Sequence, residues 1–225
     1  MKVTALLPMK GHSERISNKN MRLMAGLPLY RYVAKVLEDS PYIESILINT
    51  DSNIIAEDAQ QNFSKVQIIK RPQKLHGDEI SMNKIIEYDI STCSRKTHFV
   101  QTHSTNPLLK RTTLEKAIES YFDNITKFNS LFAVTKLQTR LYWKDLRPVN
   151  HNPQQLLRTQ DLTPLFEENS NFYIFSHSSF ESAGGNRIGQ TPQMFPMNKL
   201  EAIDIDEEED FILAEMLIKT RKSLV

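Results

Sequence analysis

Short apolar runs alternate along this chain with longer stretches whose apolar residues recur at helical spacing. Val3-Thr4-Ala5-Leu6-Leu7 holds no charge and reads as a buried, parallel strand. A polar, irregular stretch, residues 8–20, follows it. Pro28 then opens an amphipathic helix with Tyr32, Val33, Val36 and Leu37 in phase. Residues 43–49 form the second strand. Ser52 caps a helix running to about Gln61, with Ile54, Ile55 and Ala59 on one face. Residues 66–69 form the third strand, and Ser81 caps a helix carrying Ile85, Ile86 and Ile90. Residues 98–102 are the fourth strand. A helix over 111–122 has Leu114, Ala117, Ile118 and Tyr121 in phase, and 131–135 is the fifth strand.

The rhythm breaks after Lys136. Residues 137–170 are polar and irregular, with Trp143 and three prolines, and are expected to be an insertion or flap within a single domain spanning 1–225. Regular elements return as a strand at 171–175, a short helix at 178–183, a strand at 202–205 and a last helix at 207–222. Strand and helix in alternation predict an α/β fold: a three-layer α/β/α sandwich around a mostly parallel, mixed sheet. Ligands of such sheets bind beyond the carboxyl ends of the strands. The polar stretches that begin at Pro8, Thr50, Arg71, Thr102 and Asp204 each follow a predicted strand, so they are expected to converge on one edge.

Composition narrows the function. Lys and Arg number 28 against 27 Asp and Glu, a net charge of +1, which argues against a general nucleic-acid coat or a polybasic membrane anchor. The single cysteine, Cys93, allows no intrachain disulfide and suits a reducing compartment; it reads as an inert filler. The N-terminal apolar run is broken by Pro8 and shows no signal-peptide cleavage site. No stretch approaches the roughly 18 apolar residues of a membrane helix. A cytoplasmic protein without membrane or nucleic-acid partners is expected.

Six constellations could carry chemistry. The loop Pro8-Met9-Lys10-Gly11-His12-Ser13-Glu14-Arg15-Ile16-Ser17-Asn18-Lys19-Asn20 can aim backbone N–H groups and ammonium charges at phosphates, or be a solvated basic loop; it is neither a Walker A loop nor GxGxxG. In Asp204-Ile205-Asp206, strand alternation puts both carboxylates on one side, where hard oxygens suit Mg²⁺; alternatively Asp206, with Glu209, caps the last helix. Asp51 of Asn49-Thr50-Asp51 can bond the N-terminal loop or form an Asx turn. Arg71-Pro72, with Asp78 and Ser81 behind, can present a guanidinium to a nucleobase, or form a surface ion pair beside an N-cap. Gln101-Thr102-His103-Ser104-Thr105-Asn106-Pro107-Leu108 is dense in hydrogen-bonding groups, as a pocket wall or an exposed loop would be. Arg158, Gln160, Asp161, Asn169 and the stretch 185–189 offer two arginines suited to a carboxylate ligand.

Together these segments resemble the acylneuraminate cytidylyltransferase family, the CMP-sialic acid synthetases and their nonulosonic acid relatives. The family's Pro-Ala-Arg-x-x-Ser-Lys-x-x-x-x-Lys-Asn loop corresponds to Pro8, Met9, Lys10, Ser13, Glu14, Lys19 and Asn20. Its Ser-Thr-Asp corresponds to Asn49-Thr50-Asp51, and its Arg-Pro with Asp and Ser to Arg71-Pro72, Asp78 and Ser81. Its Gln-Pro-Thr-Ser-Pro-Leu corresponds to His103-Ser104-Thr105-Asn106-Pro107-Leu108, its Asn-Arg-Ile-Gly to 186–189 and its Ile-Asp-Ile-Asp to 203–206.

The resemblance implies a nucleotide-diphospho-sugar transferase-like (Rossmann-like) fold, CTP and an acidic nine-carbon sugar as substrates, and Mg²⁺. It also implies a homodimer to which residues 137–170 contribute. On this basis Lys10, Lys19 and Asp206 are expected to be catalytic. Lys10, Gly11, Ser13, Lys19, Asn20, Arg71, Asp78 and Ser81 would bind the nucleotide. His103, Thr105, Asn106, Arg158 and Gln160 would face the sugar, and Asp204 and Asp206 would hold the metal.

Three departures stand out. Lys10 replaces an arginine, Glu14 reverses the charge of a lysine beside Arg15, and His103 replaces a glutamine that contacts the sugar in the family. They leave open an eight-carbon (KDO-like) ulosonic acid, another nucleotide such as GTP, or a non-catalytic nucleotide-binding protein. A nicotinamide-dependent oxidoreductase is disfavoured by the missing glycine fingerprint.

Overall fold

In the computed structural model, residues 1–13, 15–77 and 79–223 are described, the side chains of 221–223 excepted. The apolar runs become strands β1 (Val3–Leu6), β4 (Ile43–Thr50), β5 (Val66–Lys70), β6 (His98–Thr102) and β7 (Ser130–Leu137). They alternate with helices α1 (Tyr30–Asp39), α2 (Asn53–Asn62), α3 (Met82–Ser91) and α4 (Arg111–Asp123). A short hairpin, β2 (Leu23–Met24) and β3 (Leu27–Pro28), precedes α1. The chain ends in β8 (Leu165–Ser176), α5 (His177–Ser182), β9 (Pro192–Met197) and α6 (Glu208–Ser223). Seven strands form one sheet in the order β5-β4-β1-β6-β8-β7-β9. β8 runs antiparallel to both of its neighbours, and every other pairing is parallel.

Side-chain alternation divides the core. Ala5, Leu7, Ile46, Ile48 and Val100 face α1, α2 and α4, whose Val33, Leu37, Ile55, Leu114 and Ile118 pack on them. Leu6, Leu47 and Phe99, one residue out of phase, face Ile86 and Ile90 of α3 and Phe180 of α5. The period of two along each strand thus produces the three layers. A third cluster, with Ile16, Met24, Leu29, Leu108, Ile205 and Phe211, seats α6 against the hairpin and the cleft loops. Among the described residues no helix is long and apolar enough to cross a membrane.

Several elements differ from the sequence expectation. Pro28 belongs to β3, and the helix begins two residues later, at Tyr30. Ile54 is 67% exposed while Ile55 and Ala59 carry the buried face of α2. Ser52 does cap α2, accepting from the Ile55 N–H at 3.4 Å, but the Ser81 side chain makes no capping bond at α3. Residues 202–205 are not a strand; the Ile205 N–H bonds the Thr105 carbonyl at 2.9 Å and holds them as an irregular run. The strand that does form is β9. Pro192 and Pro196 hide it in the sequence, and the sheet accommodates them because β9 lies at an edge. β8 also starts earlier than expected: residues 165–168 pair with β7, and 165–170 belong to the strand and not to the irregular segment. Asp206 does not cap α6 through its side chain: Asp210 Oδ2 accepts from the Asp206 and Glu207 N–H groups at 3.1 and 2.8 Å.

Candidate active site

The polar stretches after β1, β5 and β6, the residues before α6 and Ser170 of β8 enclose one cleft of about 490 Å³ at the carboxyl edge of the parallel strands. It is lined by Lys10, Ser13, Arg15, Lys19, Asn20, Arg71, His103, Thr105, Asp204 and Asp206, with Ile80, Met82 and Ile85 as an apolar wall. A volume of this order suits a small-molecule ligand. A second hollow of about 430 Å³, lined by Glu167, Glu168, Asn169 and Lys199 among others, shares Ser170 and Asp204 with it.

The loop after β1 is anchored at both ends. The Gly11 N–H donates to Asp51 Oδ1 at 2.6 Å. A Cβ on Gly11 would stand 2.8 Å from the Ser52 Cβ, so only glycine lets the loop lie this close to the end of β4. Asn18 adopts a left-handed conformation, φ 50°, which asparagine tolerates, and starts the turn that carries Lys19 and Asn20. Asn20 is buried: its Nδ2 donates to the Lys10 carbonyl at 2.9 Å and its Oδ1 accepts from Ser104 Oγ at 2.7 Å. Its amide thus ties the loop to the wall after β6. Lys19 Nζ donates to the Ile205 carbonyl at 2.7 Å and lies 3.7 Å from Asp206 Oδ1.

Asp204 and Asp206 face the cleft two residues apart, although the run is not a strand. Burial raises the Asp204 carboxyl above the ordinary range; the Asp206 charge adds to this, while a Thr105 hydrogen bond and Lys19 oppose it. Asp204 Oδ1 is buried and has no hydrogen-bond partner among the described residues. Asp206 is paired with Arg15, whose guanidinium reaches Oδ1 at 2.7 Å. Among the described residues no three His, Cys, Asp or Glu side chains form a metal cage. Two carboxylates are nevertheless a fitting donor set for Mg²⁺, which completes its shell with water and phosphate oxygens, and the orphaned Asp204 oxygen is a position such an ion would satisfy.

Arg71 is buried at the base of the cleft. Its Nε donates to Asn49 Oδ1 at 2.8 Å, and one terminal nitrogen donates to the Asn49 and Met9 carbonyls at 2.9 and 3.2 Å. His103 also lines the cleft. Burial and the nearby Arg187 charge push its imidazole down to about 4, so the ring is neutral near pH 7, with Nε2 unpartnered among the described residues. Arg187 lies 3.8 Å above the Tyr173 ring and donates to Gln101 Oε1 at 2.9 Å.

Not every expected residue comes to the cleft. Arg158 is 73% exposed and its guanidinium grips Asp161 at 2.7 and 3.2 Å. Gln160 is exposed beside it, its carbonyl accepting from Gln138. Neither lines the cleft of this chain, because the irregular segment carries them outward. Asn106 is fully buried and holds the Ile203 carbonyl at 3.3 Å, which makes it a brace for the Asp204 run. Ser81 is exposed next to the lining residues Ile80 and Met82. Glu14 and Asp78 lie outside the described residues.

A sequence profile described as cytidylyltransferase matches residues 4–224. The chain belongs to the cytidylyltransferase family. N-acylneuraminate cytidylyltransferase A of Danio rerio is 28% identical over 227 residues, 96% of this chain and 50% of its own length. Pseudaminic acid cytidylyltransferase of Campylobacter jejuni is 26% identical over 235 residues, covering 97% of both chains. The chain therefore spans about half the length of the N-acylneuraminate cytidylyltransferases it matches and nearly all of the pseudaminic acid enzyme. A solved CMP:2-keto-3-deoxy-manno-octonic acid synthetase, complexed with CTP, has the same fold, with TM-score 0.69 at 8% identity over 98% of this chain and 100% of that one. So does 4-diphosphocytidyl-2C-methyl-D-erythritol synthase of Anaerococcus prevotii, with TM-score 0.67 at 11% identity over 97% and 96%.

Asn49 stood among the candidate segments only as the neighbour of Asp51, and Asp89, which bonds Asn49 at 2.5 Å beneath Arg71, stood in none of them, although a signal for Asp89 was present. It is a charged residue in the apolar phase of α3, beside Ile85, Ile86 and Ile90.

Proposed function

We propose that this protein transfers CMP from CTP to the anomeric hydroxyl of a nonulosonic acid. That hydroxyl oxygen bonds to the α-phosphorus as the bond to the β-phosphate bridge breaks, and pyrophosphate leaves. The observation that carries this reading is the convergence of a cationic loop, Lys10 and Lys19, with the carboxylate pair Asp204 and Asp206 in one cleft of a cytidylyltransferase fold.

Transfer of this kind depends on positioning and charge neutralisation more than on covalent catalysis. Lys10 and Lys19 hold the phosphates, with Gly11 and Ser13 in the loop between them. Asp204 and Asp206 hold Mg²⁺, which when bound polarises phosphoryl oxygen. Arg71 and the apolar wall of Ile80, Met82 and Ile85 receive the nucleoside. His103, neutral, and Thr105 face the sugar. Asn20 and Asn106 act by bracing the walls. Arg158 and Gln160 reach a sugar only as part of a second copy's site. Tyr142, Trp143, Leu146 and Leu156 are exposed apolar side chains of the same segment and form the contact of a homodimer.

The test is pyrophosphate release from CTP with a panel of nine-carbon nonulosonic acids and an eight-carbon ulosonic acid, with GTP as the alternative nucleotide. Release only with CTP and a nine-carbon acid is the expected result. CTP binding with no release on any sugar would leave a nucleotide-binding protein instead.

A further inference from the structure

We infer that Asp89 is a positioning residue for nucleotide recognition: through Asn49 it sets the orientation of the Arg71 guanidinium at the base of the cleft. The inference rests on the reading that Arg71 faces the nucleoside of CTP.

Asp89 lies on α3, fully buried, where its neighbours in phase are the apolar Ile85, Ile86 and Ile90. Its Oδ1 accepts from Asn49 Nδ2 at 2.5 Å. On the other side, Asn49 Oδ1 accepts from Arg71 Nε at 2.8 Å. A primary amide can present either end to a neighbour. A carboxylate is an acceptor only, so it draws the NH₂ end of Asn49 toward itself and leaves the carbonyl end for Arg71. Turned the other way, the amide would set two donors against each other at Arg71 whatever the protonation of Asp89, and two acceptors against each other at the ionised Asp89. The relay therefore has one satisfied orientation. That orientation leaves the guanidinium fixed along the ends of β1 and β4 by its bonds to the Met9 and Asn49 carbonyls.

This arrangement is costly for the fold. Asp89 Oδ2 has no partner among the described residues, and an apolar side chain in its place would pack at lower cost. Burial raises the carboxyl to about 7, with the Asn49 bond and the Arg71 charge opposing the rise. A buried, half-satisfied carboxylate under a ligand cleft is better accounted for by the group it orients than by stability.

The experiment is titration calorimetry of the full chain with CTP and Mg²⁺, and, once the sugar is identified, steady-state pyrophosphate release. Asp89→Leu, Asp89→Asn, Asn49→Ser and Arg71→Lys are compared. Arg71→Lys and Asp89→Leu are each expected to weaken CTP binding about tenfold. Asp89→Leu should raise the KM for CTP by a similar factor, with kcat and the KM for the sugar within about twofold. Asp89→Asn keeps an acceptor and should recover most of the affinity. The double variant Asp89→Leu with Arg71→Lys should be no weaker than Arg71→Lys alone, because both act through one group. Should Asp89→Leu not fold, Asn49→Ser cuts the same relay and must give the same CTP-selective loss. Wild-type CTP affinity in a folded Asp89→Leu or Asn49→Ser variant would overturn the relay, and so would an equal loss in kcat and sugar KM. Wild-type affinity in Arg71→Lys would instead overturn the placement of the nucleoside against Arg71.

Discussion

The cleft loops and the irregular segment between β7 and β8 are both polar in sequence, yet they are built in opposite ways. In the cleft, side chains bond across long sequence separations: Lys19 to Ile205, Ser104 to Asn20, Gly11 to Asp51, Arg71 to Asn49. Each bond joins one loop or strand end at this edge to another, so the polar groups are held before any ligand arrives. In the segment, bonds are mostly local: Trp143 N–H to the Arg147 carbonyl at 2.8 Å, Val149 to Leu141 at 2.9 Å, Arg158 to Asp161. Its large apolar side chains point outward, Leu146 at 80% and Leu156 at 88% exposure. The difference separates a surface whose polar groups are tied to one another across the sheet edge from one that leaves large apolar side chains exposed.

The sharpest way to break this comparison is at the carboxylates. Asp206→Ala should lower pyrophosphate release by about 100-fold or more with the melting temperature nearly unchanged. Full activity in that variant would remove the metal assignment. Gly11→Ala comes next. Its Cβ would meet Ser52 at 2.8 Å, so the loop after β1 must shift, and CTP affinity should fall about tenfold. An unchanged affinity, measured by calorimetry, would mean that the loop is less fixed than its bonds imply. In the segment, Trp143→Ser combined with Leu146→Ser should shift the protein from dimer to monomer in light scattering while the isolated fold stays intact. A dimer that survives would place the interface elsewhere.

The smallest effect concerns pH. The folded-state value of Asp89 is raised to about 7, above the ordinary range of an unfolded aspartate near 4. Its contribution to stability is therefore full below about pH 4 and is lost as pH rises through about 7. Asp89→Asn should flatten that fall, and melting temperatures at pH 5 and pH 8 would show it as a difference of a few degrees between the two proteins.

Much of the parallel half of the molecule was legible residue by residue. Its strands are mainly apolar runs, its helices keep their apolar phase, and the Ser52 cap forms as its sequence suggests. Legibility failed where one element's role depends on its neighbours. β9 carries two prolines that only an edge position tolerates. Residues 202–205 resemble a strand but are held by Thr105 and Asn106 instead. That Lys10, Lys19, Arg71, His103, Asp204 and Asp206 line one cleft was legible because strand ends converge in this kind of sheet. The bracing role of Asn106, the outward position of Arg158 and the relay through Asp89 were not, since each depends on contacts between residues far apart in the chain.

By itself the sequence determined the alternating elements, the edge on which the polar loops meet and the chemical types gathered there, because periodicity and strand polarity are local properties. Only the tertiary structure decided which of those groups reach the cleft, which are consumed in holding it, and which orphaned oxygens face it. Those outcomes follow from hydrogen bonds closed across the sheet, where the partner of a polar group is set by packing and not by its neighbours in the chain.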